Sequence, residues 1–108
     1  MKIKRYEIHL CNLDSTIGSE INKTRSVVIV SDDAMNKALN TIVVCPLITK
    51  IHPMWRSRIQ VFCKGQASEI AVDQIRTISK VRLIKKLDKL TNQSASELRQ
   101  VITEMYGE

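Results

Sequence analysis

The chain has 108 residues, 44% hydrophobic and 26% charged, a balance that excludes a disordered chain and sets one core of single-domain size over residues 1–108. A net charge of +6 and a pI near 9.5 make polyanions the natural partners (RNA, DNA or an acidic protein segment), with plain solubilising surface as the alternative. Cys11, Cys45 and Cys63 are odd in number and lie far apart in apolar runs. With only His9 and His52 to join them, that spacing excludes a zinc pattern and a disulfide framework, and predicts buried free thiols, no metal and no cofactor.

Met1-Lys2-Ile3-Lys4-Arg5 leads into an alternating segment and not into an apolar signal core, and no stretch reaches the length that spans a bilayer. The expectation is a cytoplasmic protein without a membrane partner. A period close to two then predicts a first strand with Tyr6, Ile8 and Leu10 on its inner face. Residues 14–25 lack periodicity and are rich in Asp, Ser, Thr, Gly and Asn, which predicts a long loop.

Val27 to Ser31 is a β-branched run, expected as a fully buried strand. Asp32 to Leu39 follows as one or two helical turns capped by Ser31 or Asp32. Thr41 to Cys45 is a second buried strand, expected to stop at Pro46, which has no N–H for a ladder. Arg56 to Cys63 alternates as an amphipathic strand with one basic face, Lys64-Gly65-Gln66 turns it, and Glu69 to Val72 returns. Ile75 to Leu83 reads as a further strand with Arg76, Ile78 and Lys80 on one side. Finally, Ser94-Ala95-Ser96-Glu97 has capping-box spacing, and Leu98, Val101, Ile102 and Met105 recur at helical intervals behind it. The elements predict a mainly β fold: a small, antiparallel, partly closed barrel of five to seven strands, with a short helix after the second strand and a C-terminal helix covering one face.

Several motifs fall in a telling order: Gly18-Ser19-Glu20-Ile21-Asn22-Lys23-Thr24-Arg25 before the Val27 run, then Asn36, then Thr41 to Thr49 around Cys45-Pro46-Leu47, then Asp73-Gln74-Ile75-Arg76-Thr77-Ile78. Together they resemble the MazF/PemK family of toxin endoribonucleases, over nearly the whole chain. The resemblance implies an SH3-like barrel of the CcdB/MazF/PemK type. It also implies a metal-free toxin nuclease of a type II toxin-antitoxin system that cuts single-stranded RNA in a short sequence context, a homodimer, and a cognate antitoxin.

Metal-free RNA cleavage needs a 2′-hydroxyl to lose its proton, the phosphorane charge to be stabilised and the 5′-oxygen to gain a proton. By the resemblance, Arg25 is catalytic and a Thr after the Pro-Leu turn assists it. The family pattern reads Pro, an apolar residue, then Thr, whereas Pro46-Leu47 is followed here by Ile48 and only then by Thr49. In direct register Ile48 replaces the helper hydroxyl; with a turn one residue longer, Thr49 supplies it. Ser26 departs from the usual Pro after the Arg. Glu20 is the candidate general base or the partner that orients Arg25. Lys23 and Lys50 are candidate RNA contacts.

Lys50 to Arg58 interleaves cations with the only Trp, so that Trp55 stacks a base while Arg56 and Arg58 meet phosphates, with Trp55 as a core or dimer anchor the alternative. Gln74 reads a base edge or caps its turn, and His52 is a surface residue before Pro53. Two rival readings remain: a gyrase-inhibiting toxin of the CcdB type, acting by protein contact, and a catalytically weakened homologue that binds antitoxin or RNA.

Overall fold

Val27, Val28 and Ile29 are wholly buried in β2 (Thr24–Ile29), as a β-branched run between neighbouring strands on both sides requires. The computed structural model describes residues 2–12 and 24–107. β1 (Glu7–Asn12) and β2 are followed by α1 (Asp33–Ala38), β3 (Thr41–Ile48), β4 (Arg58–Cys63), β5 (Gln66–Ala71), β6 (Arg76–Ser79), β7 (Leu83–Lys89) and α2 (Asn92–Tyr106). The sheet runs β4-β5-β3-β2-β1-β7, with β6 beside β3, and every pairing is antiparallel. The fold is mainly β, a curled half-barrel with a C-terminal helix.

Turn chemistry shapes the edges. Lys64 and Gly65 both take positive φ (50° and 82°), the two-residue geometry that matches strand twist in a hairpin, and they join β4 to β5. The Lys64 backbone N–H donates to Asp88 Oδ2 at 2.8 Å, tying this hairpin to β7 at the opposite edge of the sheet and curling the sheet toward closure. α1 is capped by Asp32, whose carboxylate accepts from the Met35 N–H at 2.8 Å. Behind it Asn36, almost fully buried, donates from Nδ2 to the Ser31 carbonyl at 2.9 Å, and Ser31 Oγ accepts from the Val43 N–H at 3.0 Å, locking β2, α1 and β3 together.

Apolar residues collect on both sides of the sheet. One cluster, centred on Ile8, Val28, Cys45, Ile70 and Leu98, lies beneath α2; the other joins Cys11, Val27, Ile29, Ile42, Val44 and Ile78. All three cysteines are buried free thiols. No helix is long and apolar enough to cross a membrane.

The structure departs from the expected elements in several places, among them β2, which runs Thr24–Ile29, and β5, which runs Gln66–Ala71. β1 is buried on both faces, so His9 and Cys11 are as inaccessible as Ile8, while Leu10 is only partly covered. β1 lies between β2 and β7 with a core on either side, and a polar-looking strand need not be half-solvated there. β3 passes through Pro46 to Ile48. Along one side it pairs with β6 up to Val44↔Arg76 and with β5 from Leu47↔Ile70, and Pro46 falls in the gap between, where a missing N–H costs that ladder least. The predicted strand over Ile75 to Leu83 is broken by a 3-10 turn at Lys80–Arg82, and the basic run beyond it is β7. β4 starts at Arg58, because residues 53–57 form turns. α2 starts at Asn92, with Thr91 Oγ1 accepting from the Ser94 N–H at 3.1 Å.

Candidate functional site

Arg25 lies opposite Cys11 in the β1-β2 register. Opposite residues of an antiparallel pair share a face, and Cys11 belongs to the second core cluster, so Arg25 projects from the open end of that face. There it lines a cleft of about 560 Å³ together with Pro46, Ile48, Gln74 and Arg76. Pro46 and Ile48 come from β3, Arg76 opens β6, and Gln74 ends a 3-10 turn over Val72–Gln74. Arg25 and Arg76 are exposed, and among the described residues neither is held by a carboxylate. Two guanidiniums without a carboxylate partner among the described residues, one amide and an apolar floor are the chemistry that suits a phosphodiester with a base beside it.

Beside the cleft lies a second polar assembly that is closed. Arg58 donates from Nη1 to Glu69 Oε2 at 2.6 Å and from Nε to Asp73 Oδ1 at 2.8 Å, and its Nη2 reaches Asp73 Oδ2 at 3.4 Å. The Arg58 side chain is 4% exposed and that of Glu69 0%. Glu69 also accepts from the His52 N–H at 2.6 Å and from Gln60 Nε2 at 3.0 Å, and it sits 3.0 Å from His52 Nδ1. Trp55 lids the group, its ring 4.1 Å from that of His52 and 4.5 Å from the Arg58 guanidinium carbon.

Burial pushes the Glu69 carboxyl up, but the His52 N–H and the Arg58 guanidinium more than offset it, and the pKa ends below the ordinary carboxylate value. Asp73 is lowered chiefly by its hydrogen bond from Arg58, against a smaller opposing effect of burial. Arg58 is raised, first by Asp73.

The sequence candidates therefore divide. Arg25 and Gln74 meet in the cleft. Glu20 and Lys23 lie outside the described residues. Thr49 and Lys50 are exposed in the bend after β3 and do not line the cleft, whereas Ile48 does. Arg56 is exposed in the turn before β4, and Trp55 is half-exposed. Arg58 is a correction: its alternation with Gln60 suggested an open basic face, but Glu69 on the paired strand, directly opposite Gln60, draws the guanidinium inward. Arg76 was missed. The signal for it was present in the alternation that puts Arg76 on the side of buried Ile78, a cation at the end of an apolar face. Among the described residues no three His, Cys, Asp or Glu side chains converge as metal ligands.

Comparison with known proteins places the chain in a family. A family model described as PemK-like, MazF-like toxin of type II toxin-antitoxin system matches residues 4–106. The chain is 34% identical to the Mycobacterium tuberculosis protein named Endoribonuclease MazF9, over 92% of this chain and 89% of that one. It is 29% identical to the Staphylococcus saprophyticus Endoribonuclease MazF, over 97% and 92% respectively. Among solved structures, a mycobacterial endoribonuclease in complex with its cognate antitoxin superposes with a TM-score of 0.83 at 18% identity, covering 97% of this chain and 95% of that one. A MazE-MazF crystal structure from Deinococcus radiodurans gives 0.85 at 14% identity, covering 99% and 98%. These likenesses establish the fold, and the family match over nearly its full length assigns the chain to the PemK-like, MazF-like toxins of type II toxin-antitoxin systems.

Proposed function

We propose that this toxin is an endoribonuclease that cleaves single-stranded RNA without a metal ion. The observation that carries the reading is the convergence of Arg25 and Arg76, both free of carboxylate partners among the described residues, on one cleft beside Gln74. The substrate 2′-hydroxyl loses its proton to a base, for which Glu20 is the candidate, and attacks the adjacent phosphorus in line. The phosphorane charge is met by Arg25 and Arg76, and the 5′-oxygen leaves with a proton taken from solvent water, to which the base later returns its own, giving a 2′,3′-cyclic phosphate and a 5′-hydroxyl. Gln74 presents an amide that can both donate to and accept from a base edge.

Two relatives bear the name Endoribonuclease MazF or MazF9, and solved neighbours are complexes with MazE or with a cognate antitoxin. They support a cognate antitoxin as protein partner; a homodimer as the working unit and the cytoplasm as the place of action are part of the proposal, carried by the family resemblance. These relatives favour the nuclease over the gyrase-binding alternative. Incubating the purified protein with a long single-stranded RNA in EDTA tests the proposal. Discrete cuts with 5′-hydroxyl ends, absent in Arg25→Ala, support it; intact RNA refutes it.

A second reading has its own observation. Ile48, which cannot hydrogen-bond a phosphate, occupies the cleft wall where a hydroxyl would assist, as in a homologue that binds RNA or antitoxin with weak turnover. RNA binding without cuts selects that reading.

A further inference from the structure

The cleft exists because the sheet is interrupted beside Pro46. On β3 the partner changes from Ile70 to Arg76 within the step from Leu47 to Val44, and beyond Ala71, the last residue of β5, residues 72–75 leave the sheet and turn as Val72–Gln74. Such an excursion has little sheet pairing of its own. Two backbone bonds hold it, from the Val72 N–H to the Ser57 carbonyl at 3.0 Å and from the Ile75 N–H to the Val72 carbonyl at 3.2 Å; the Tyr106 hydroxyl adds a third, to the Val72 carbonyl at 3.0 Å. The one charged anchor is Asp73, gripped by Arg58.

Arg58 in turn is fixed from its other side. Glu69, its buried partner, lies opposite Ile48 in the β3-β5 register, and Ile48 is a wall of the cleft. One guanidinium thus spans two carboxylates, one set against the β3 wall and the other beside Gln74 on the far wall. Trp55 and His52 close over it, which keeps water from competing for its donors.

From this arrangement we infer that Arg58 is a positioning residue for substrate selection: it fixes the distance between the two walls of the Arg25 cleft and, through Asp73, aims Gln74 and Arg76 at the RNA. The inference rests on the nuclease reading for its substrate but makes a structural claim that stands apart from it. Lys cannot replace Arg58, because one ammonium can balance Glu69 but cannot fork to Asp73 as well.

Two measurements on the full chain test this. The first is hydrogen exchange. Asp73→Asn, which leaves Arg58 on Glu69, and Arg58→Lys, which leaves Glu69 a cation, are expected to speed exchange at the Ile75 amide about tenfold while amides of β1 and β2 keep their protection. Unchanged exchange at Ile75 overturns the inference, and loss of protection throughout β1 and β2 also overturns it, since Arg58 would then be a plain stability element.

The second is a double-mutant cycle on RNA cleavage. Asp73→Asn is expected to raise KM about tenfold with a smaller change in kcat, and adding Gln74→Ala to it is expected to raise KM no further. Effects of Asp73→Asn and Gln74→Ala that multiply overturn the inference. A parent protein that cuts no RNA refutes the nuclease reading alone, and the exchange result at Ile75 then decides the positioning claim without it.

Discussion

Ile48 lines the same cleft as Arg25, and Thr49, the next residue, does not. β3 ends at Ile48 and Thr49 has already entered the bend, so a hydroxyl displaced by one position lies off the wall that Ile48 forms. Ile48→Thr is therefore expected to raise kcat for RNA cleavage by at least about tenfold, as a hydrogen-bond donor gained at the phosphorane would. Single-turnover cleavage of a fixed RNA reads this. No gain for Ile48→Thr together with a fall for Thr49→Ala would assign the helper role to Thr49 instead.

The two guanidiniums of the cleft, Arg25 and Arg76, should separate by kinetic signature. Arg25→Ala is expected to lower kcat by about 10²–10³-fold, the cost typical of losing one oxyanion donor. Arg76→Ala is expected to weaken RNA binding more than turnover and to reduce the slope of log affinity against log salt by about one. Filter binding across a salt series, beside single-turnover rates, distinguishes them.

Acid should unfasten the Arg58 assembly. Glu69 and Asp73 both titrate below their ordinary values of 4.5 and 3.8: in Glu69 the donors overcome a burial effect that alone would raise it, and in Asp73 the Arg58 hydrogen bond leads. Carboxyls depressed in the folded state add stability that is fully present above the unfolded values and is lost as pH falls through the folded ones. The midpoint of urea unfolding is therefore expected to be level above pH 5 or about that, and to drop steeply below about pH 4. In Asp73→Asn that drop should be shallower. An equal slope in both proteins would remove Asp73 from the transition.

The thiols should be silent until the chain unfolds. Cys45 is fully buried and its thiol is pushed up to about 12 by that burial, while Cys11 and Cys63 are raised for the same first reason. A thiol-specific chromogenic reagent at pH 8 is expected to label none of them rapidly in the native protein and all three in denaturant. Fast native labelling would show that the sheet opens locally around the reactive cysteine.

Features set by local chemistry were readable in the sequence. The Val27 run, the Asp32 cap, the Lys64-Gly65 hairpin and the apolar face of α2 each follow from side-chain shape, periodicity or turn preference within a few residues. Arg25 and Gln74 were legible through family resemblance, not through spacing. What escaped were consequences of distant pairing. Leu83 to Lys89 does not declare itself as a strand, because its exposed lysines mask one recruited by β1. Pro46 stops an ideal strand but not one whose ladder is interrupted at the same point. Arg58 resembles Arg56 in sequence, and only Glu69, brought alongside by the hairpin, separates a buried cation from an open one.

The change of partner along β3 leaves the protein with two alignments set independently, Thr41 to Val44 against β6 and Leu47 to Ile48 against β5. Residues 72–75 therefore form a joint between the two halves, anchored by the buried Val72 and by Asp73, and Gln74 is the exposed side chain in it that can change without slipping either half out of step. Under the proposed nuclease reading, exchange of Gln74 is expected to change which RNA sequence is selected, while the residues that fold the sheet stay as they are.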